Sequence, residues 1–359
     1  MFRLFTTLPF AAALLCCTAH AEILVGVAGP MAGQYAAFGN EMKTGAEAAV
    51  AAINAAGGIN GENLAVITAD DACDTKRAAE TAKDFVTKDV RLVVGHFCSG
   101  ASLAAALVYA DAGILMITPA ASNPSLTEKN LWNVFRLTGR DDAQADLAAA
   151  AVKSQADGLA AIISDGTPTS SALATRFVAQ LNQTPTISIK PGQTDLEGVS
   201  AEITDKTYSH VYLATGATDA ARLVQALRSG GFKGSILASD AVVAEIFGSK
   251  AGDTADGVRA TFPADPMQSD MARSTVTSLL ADGKAVDGAT LPSYAAVQAF
   301  AAAAKATTVN DGKAMARWLH GNGVNTVLGS VTFDAKGDLT AQPFVWYQFT
   351  GGNFRLEQQ

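Results

Sequence analysis

Apolar positions along the chain recur with two alternating periods. Residues 23–29 (ILVGVAG) are apolar nearly throughout, as expected of a strand buried on both faces of a parallel sheet. Over 38–56, Phe38, Met42, Ala46, Ala49 and Ile53 recur at steps of three or four, which is helical spacing, and Gly57-Gly58 ends the run. The cycle repeats with strands at 64–68, 92–94 and 114–117 and helices at 75–88 and 99–112. It resumes beyond residues 138–142 (TGRDD) with strands at 159–163, 186–189, 211–214 and 236–238. The helices between them fall at 170–181, 196–204 and 218–229, the last with Leu223, Val224 and Leu227 on one face. Such βα repetition predicts parallel sheets covered by helices on both faces, joined by right-handed crossovers. After Pro263 the pattern turns mostly helical, at 267–280, 292–304 and 313–320. A strand pair at 329–333 and 344–349 then flanks a turn at 334–337. The expectation is two α/β lobes, with the chain crossing between them more than once.

The first residues do not share this rhythm. Arg3 is the only charge before Glu22, residues 8–17 are mostly apolar, and Ala19-His20-Ala21 is a small-x-small site. Residues 1–21 therefore read as a cleavable signal peptide. The apolar run falls short of the ~20 residues that a membrane span needs. The pairs before Cys16 and Cys17 are not the small pair of a lipoprotein site. Export to an oxidising compartment leaves Cys73 and Cys98, an even pair that reads as a disulfide, the alternative being two buried thiols.

Composition narrows the class. A length of 359 residues allows about two domains. Hydrophobic residues at 49%, charged residues at 17% and a mean hydropathy of +0.19 exclude intrinsic disorder. With 34 acidic against 26 basic side chains, the net charge of -8 argues against nucleic acid or anionic lipid as the main partner.

Catalytic motifs are missing. Phe97 stands where a G-x-S-x-G elbow around Ser99 needs glycine, and Gly29-x-x-x-Gly33 is the nearest approach to a phosphate-binding loop. His96, His210 and His320 are far apart, and two isolated cysteines do not make metal-ligand spacing, so no metal and no cofactor is expected. His96 reads as a hydrogen-bonded loop histidine. The acid pairs Asp70-Asp71 and Asp141-Asp142 read as helix caps or solvated turns. An exported hydrolase would need a nucleophile–base pair, for which no motif exists.

Binding chemistry is better represented. Ligands of open α/β sheets sit beyond the carboxyl ends of the strands. Those segments are 29–33 followed by Phe38, 95–100, and 118–122. Ser99 and Ser122 place small hydroxyls at strand ends beside backbone N–H groups. Either alone could be an ordinary N-cap, whereas two in matching places suit a carboxylate.

Four segments together carry a resemblance: Asp70-Asp71-Ala72-Cys73-Asp74, Gly95-His96-Phe97-Cys98-Ser99, residues 113–122 (GILMITPAAS) and residues 331–339 (VTFDAKGDL). They resemble the periplasmic substrate-binding proteins of branched-chain amino-acid ABC transporters, the Leu/Ile/Val-binding protein family. The likeness covers essentially the whole chain after residue 21. It implies the type I periplasmic-binding fold: two Rossmann-like lobes with parallel central sheets joined by several crossover hinge strands. Lobe one would comprise 22–140 plus 264–340, and lobe two 141–263 plus 341–359. It also implies a monomeric, non-enzymatic periplasmic protein that closes on an amino acid and is then recognised by permease subunits.

In that family the serine matching Ser99 holds the ligand carboxylate. The hydroxyl matching Ser122 meets carboxylate and ammonium, the carbonyl of Ala120 takes the ammonium, and the acid matching Asp240 pairs with it from lobe two. The cysteines matching Cys73 and Cys98 are disulfide-bonded. Phe38, Phe97, Thr169 and Gly216 complete the expected ligand-contact set. This chain departs from the pattern in having Asp240 where glutamate is usual, and Phe38, Thr169 and Gly216 where tyrosines are frequent. The loss of rings at Thr169 and Gly216 admits an alternative ligand, an aromatic or aliphatic carboxylate or a short amide.

Overall fold

The computed structural model describes residues 22–155, 159–181, 184–206, 208–341 and 344–357. The expected signal peptide, 1–21, lies outside the described residues. Five strands come first: β1 (Ile23–Gly29), β2 (Leu64–Asp70), β3 (Leu92–Gly95), β4 (Leu115–Thr118) and β5 (Val134–Arg136). They form one parallel sheet in the order β2-β1-β3-β4-β5. Strand residues alternate between two cores, as a two-residue period requires. Val25, Val27, Leu92, Val94, Leu115 and Ile117 pack with residues of the helices Ala36–Ala55 and Thr290–Ala306. Ala28, Val93 and Met116 pack with residues of Thr75–Thr87 and Ser99–Ala112. The approach of the first helix pair is close enough that a Cβ at Gly45 would collide with the Thr290 carbonyl.

The later strands are β6 (Ala160–Ser164), β7 (Thr186–Ser188), β8 (His210–Ala214), β9 (Ser235–Ala238), β10 (Arg259–Pro263), β11 (Val324–Thr326), β12 (Gly329–Val331), β13 (Phe344–Thr350) and β14 (Asn353–Leu356). The second sheet has the order β14-β13-β10-β9-β8-β6-β7. Strands β10, β9, β8, β6 and β7 run parallel, and β13 and β14 close one edge antiparallel. The chain thus has two α/β units with parallel central sheets. It passes between them after β5, after β10 and before β13, because the intervening helices Ala143–Lys153 and Thr290–Ala306 bury their faces in different cores.

Two expectations are corrected. Segments 329–333 and 344–349 do not pair with each other. β12 pairs with β11, whereas β13 pairs with β10 and β14 in the second sheet. The turn between them closes on itself, with Asp334 N–H donating to the Asp338 carbonyl and Phe333 bridging Leu339, before the chain crosses over. The helix expected at 267–280 begins only at Arg273. Pro266–Gln268 is a single 3-10 turn whose Met267 N–H is capped by the Asp265 carboxylate. Met267 and Met271 are exposed, so their apolar spacing does not mark a core face.

Candidate functional site

The predicted residues gather at the carboxyl ends of both sheets. Phe38, Phe97, Ser99, Ala120 and Ser122 follow β1, β3 and β4, which are neighbours in the first sheet, while Thr169, Gly216 and Asp240 follow β6, β8 and β9, neighbours in the second. This is where ligands of open α/β sheets bind.

One hydroxyl fastens the two serine-bearing loops together. Thr118 Oγ1 donates to the His96 carbonyl at 2.8 Å and accepts the N–H groups of Ala120 at 3.2 Å and Ala121 at 2.9 Å. Ser99 Oγ accepts the Asn123 N–H at 3.3 Å, a second tie between the same loops. Beneath them His96 is fully buried, with Nδ1 2.6 Å from Asp71 Oδ2 and Nε2 3.1 Å from the Tyr109 hydroxyl. Cys73 and Cys98 form a disulfide beside this pair. At the mouth, Phe38 and Phe97 stack with ring centroids 4.5 Å apart. Gly216 and Thr169 are exposed, and a Cβ at Gly216 would meet nothing within 4 Å, so that end is open.

Ser122 is joined to Asp141 by main chain and side chain. The Asp141 N–H donates to the Ser122 carbonyl at 3.0 Å, and the Ser122 hydroxyl is hydrogen-bonded to the Asp141 carboxylate. Burial pushes the Asp141 carboxyl above the ordinary carboxylate range, opposed by the Ser122 hydroxyl and by the Arg136 guanidinium. Asp240 opens a 3-10 turn, Asp240–Val242, directly after β9. Burial pushes its carboxyl up as well, the Gln144 side chain opposes this by hydrogen bonding, and the charge of Asp141 pushes it further up. Ser122 of the first sheet and Asp240 of the second are therefore electrostatically linked through Asp141. Neither carboxylate forms an ion pair among the described residues.

Two readings of the acid pairs need correction. Asp71 is neither a cap nor solvated but fully buried against His96, and Asp141 faces the site rather than solvent. Sequence reasoning also missed Gln144, buried in the first turn of Ala143–Lys153. Its only signal was its place just past the first crossover. Among the described residues no three His, Cys, Asp or Glu side chains converge as a metal site, and no helix is long and apolar enough to cross a membrane. Together these residues offer hydroxyl and N–H donors, a carbonyl and two carboxylates, a set of groups that can complement a zwitterion.

Known proteins share the sequence and the architecture. The Leu/Ile/Val-binding protein homolog 1 of Brucella abortus is 36% identical over 342 residues, covering 93% of this chain and 92% of that one. An amino acid binding protein of Pseudomonas aeruginosa is 36% identical over 343 residues, covering 92% and 91%. An ABC transporter substrate-binding protein of Desulfitobacterium hafniense, solved in complex with Leu, has the same fold. Its TM-score is 0.76 at 24% identity, over 94% of this chain and 100% of that one. The periplasmic binding protein family matches residues 22–353, and a match of that extent, with relatives aligned almost end to end, means that this chain belongs to the periplasmic binding protein family.

Proposed function

We propose that this protein is the periplasmic solute-binding component of an ABC importer and that it takes an amino acid, branched-chain or otherwise aliphatic, between two lobes. Lobe one is 22–140 plus 264–340, and lobe two is 141–263 plus 341–359. Ser99 and the neighbouring N–H groups hold the ligand carboxylate. The Ala120 carbonyl, Ser122 and Asp240 hold its ammonium, and Phe38, Phe97, Thr169 and Gly216 border the side chain. Hinge closure brings Asp240 onto the ammonium, and the closed monomer is the form that permease subunits recognise. No bond is made or broken, and nucleic acid has no part in this role.

The observation that carries this reading is that Asp141 and Asp240, the first of which acts on the second through its charge, are both partly buried and have no ion-pair partner among the described residues. Two partly desolvated carboxylates side by side favour a ligand bearing an ammonium and oppose one that brings only another negative charge. Calorimetric titration with L-leucine, L-alanine, 4-methylpentanoate and benzoate tests it. Binding of the amino acids with at least about tenfold preference over the deaminated acid is the expected result. Binding of benzoate or 4-methylpentanoate in preference to every amino acid would replace this reading with the carboxylate alternative, for which the stacked Phe38 and Phe97 would supply the aromatic wall.

A further inference from the structure

Gln144 holds Asp240 at two points and ties it to Thr261. The Gln144 side chain is buried, and its Oε1 accepts both the Asp240 N–H at 2.8 Å and the Thr261 hydroxyl at 2.7 Å. With the oxygen occupied by two donors, the carboxamide NH2 is the group left to meet the Asp240 carboxylate, and a side-chain hydrogen bond between the two residues exists. One side chain therefore fixes the backbone and the carboxylate of Asp240 and anchors them to β10 through Thr261.

The placement matters as much as the bonds. Gln144 lies in the first turn after the crossover that follows β5, and Thr261 lies two residues before Pro263, where the chain crosses back. The candidate ammonium-binding acid is thus tied to two of the segments that join the lobes. The other hydrogen bonds to the Asp240 carboxylate come from the N–H groups of Ala241 and of Asp240 itself, which belong to its own turn and do not tie it to another element. Asp141 repels it, and the buried Tyr212 hydroxyl has no hydrogen-bond partner among the described residues. No other side-chain type of this size does the same work. Glutamate would set a second negative group, besides Asp141, against Asp240, and leucine would remove the acceptor shared by the Asp240 N–H and the Thr261 hydroxyl, leaving the hydroxyl its 3.4 Å contact with the Ala238 carbonyl.

We infer that Gln144 is the positioning residue that aims Asp240, and that it sets the discrimination between ligands that carry an ammonium and the same carbon skeleton without one. The inference rests on the reading of Asp240 as the ammonium partner. A side chain that only supported the lobe would affect both kinds of ligand alike.

The test compares the Kd values of L-leucine and 4-methylpentanoate for the wild-type protein, Gln144→Leu, Asp240→Asn and the double variant, by calorimetry. The Q144L variant is expected to weaken leucine about tenfold or more and to change 4-methylpentanoate by less than about twofold. The double variant is expected to bind leucine no worse than D240N alone, since Gln144 acts through Asp240. Equal losses for both ligands, or losses that add in the double variant, would overturn the inference while leaving the role of Asp240 intact. An unchanged leucine affinity in D240N would instead overturn the reading of Asp240. Thermal melts establish whether Q144L folds. If it does not, Thr261→Val removes one of the two donors on Oε1 and should shift the same ligand ratio in the same direction by about threefold. An unshifted ratio there would count against Gln144.

Discussion

Ser122 and Asp141 bond in both directions, the Asp141 N–H to the Ser122 carbonyl at 3.0 Å and the Ser122 hydroxyl to the Asp141 carboxylate. A hydroxyl carries one proton. Once that proton is committed to Asp141, Ser122 faces a ligand as an acceptor, which suits an ammonium better than a carboxylate. The resemblance assigned Ser122 to both ends of the ligand. Within the proposed function, this bonding suits Ser122 to the ammonium and leaves the carboxylate to Ser99 and the backbone.

Asp141→Asn tests this polarity. An asparagine NH2 can donate to Ser122, which frees the hydroxyl proton and removes a negative charge from the site. Amino-acid affinity should fall by about 10- to 100-fold, the range for losing a hydrogen bond to a charged group. Calorimetry with leucine measures it, and wild-type affinity would place the ammonium away from Ser122.

Asp240→Asn should raise the stability of the ligand-free protein while weakening binding. Burial holds the folded-state carboxyl above its unfolded value, so the native state binds the extra proton between about pH 3.9 and the raised value. Stability contributed by this group therefore falls as pH rises through that window, and the penalty is complete above the raised value. The variant should gain roughly 0.5–2 kcal/mol at pH 7 in urea unfolding, a gain that disappears below about pH 3.9. A variant less stable than wild type at pH 7 would mean that the carboxylate is adequately solvated.

The same groups make binding depend on pH. Below their raised values, Asp240 and Asp141 hold protons that an arriving ammonium must displace, with Arg136 opposing protonation at Asp141 and Gln144 opposing it at Asp240. The nearby Tyr212 hydroxyl is held above its ordinary value by burial and stays neutral throughout. Affinity for an amino acid should therefore drop as pH falls and level off as pH rises. Titrations in buffers of different ionisation enthalpy should detect proton release at acidic pH, and a flat profile from pH 5 to 8 would show both acids already ionised over that range.

Much of the fold is legible where burial follows the apolar period. β1, β3 and β4 and the helices between them are written in Val, Ile, Leu and Ala, and the rule that ligands sit past strand ends pointed to Ser99 and Ser122, whereas Asp240 was implied by the family resemblance alone. Two of the missed elements, β5 and β10, carry polar residues that find partners far along the chain. β5 ends in Arg136, fully buried because Asp338 lies 2.5 Å away across about 200 residues of sequence. β10 carries Arg259, paired with Glu357, and Thr261, bonded to Gln144, and it ends in Pro263. Asp141 was hidden for a related reason. Two aspartates before a helix look like a cap in isolation, and only the return of Ser122 gives the first of them a different task.

The Cys73–Cys98 bond should stabilise the first sheet and its loops together. The cysteines are 25 residues apart, for which chain entropy assigns roughly 3 kcal/mol. Cys98 precedes Ser99, and Cys73 N–H donates to Asp71 Oδ1 at 2.8 Å, so the bond also braces the pair of Asp71 and His96. The double variant Cys73→Ser, Cys98→Ser should unfold at lower denaturant and bind its ligand more weakly. An unchanged denaturation midpoint, with the bond verified in wild type by thiol titration, would show that the loop is already fixed by its hydrogen bonds.

Arg136 is the most demanding buried group of the crossover region. Its guanidinium donates to the carbonyls of Ala121 at 2.9 Å and Asn123 at 3.2 Å and to Thr127 Oγ1 at 2.8 Å, while its Nε faces Asp338. Burial depresses its pKa and the Asp338 charge supports it. Asp338 in turn receives Arg140 Nη1 at 3.0 Å and the Thr127 hydroxyl at 2.9 Å. Replacing Asp338 with alanine would leave a fully buried cation beside the very backbone that carries Ser122, at an expected cost of about 3–5 kcal/mol. Arg140 is partly exposed and keeps Asp142 and Glu128, so little of that loss arises from it. Replacing both partners, Arg136→Met with Asp338→Leu, removes the stranded charge and should recover a large part of the stability lost in D338A. Urea unfolding of wild type, D338A and the double variant distinguishes the two contributions. If the double variant is no more stable than D338A, the cost comes from lost packing and from the freed carbonyls of Ala121 and Asn123 rather than from an unpaired charge.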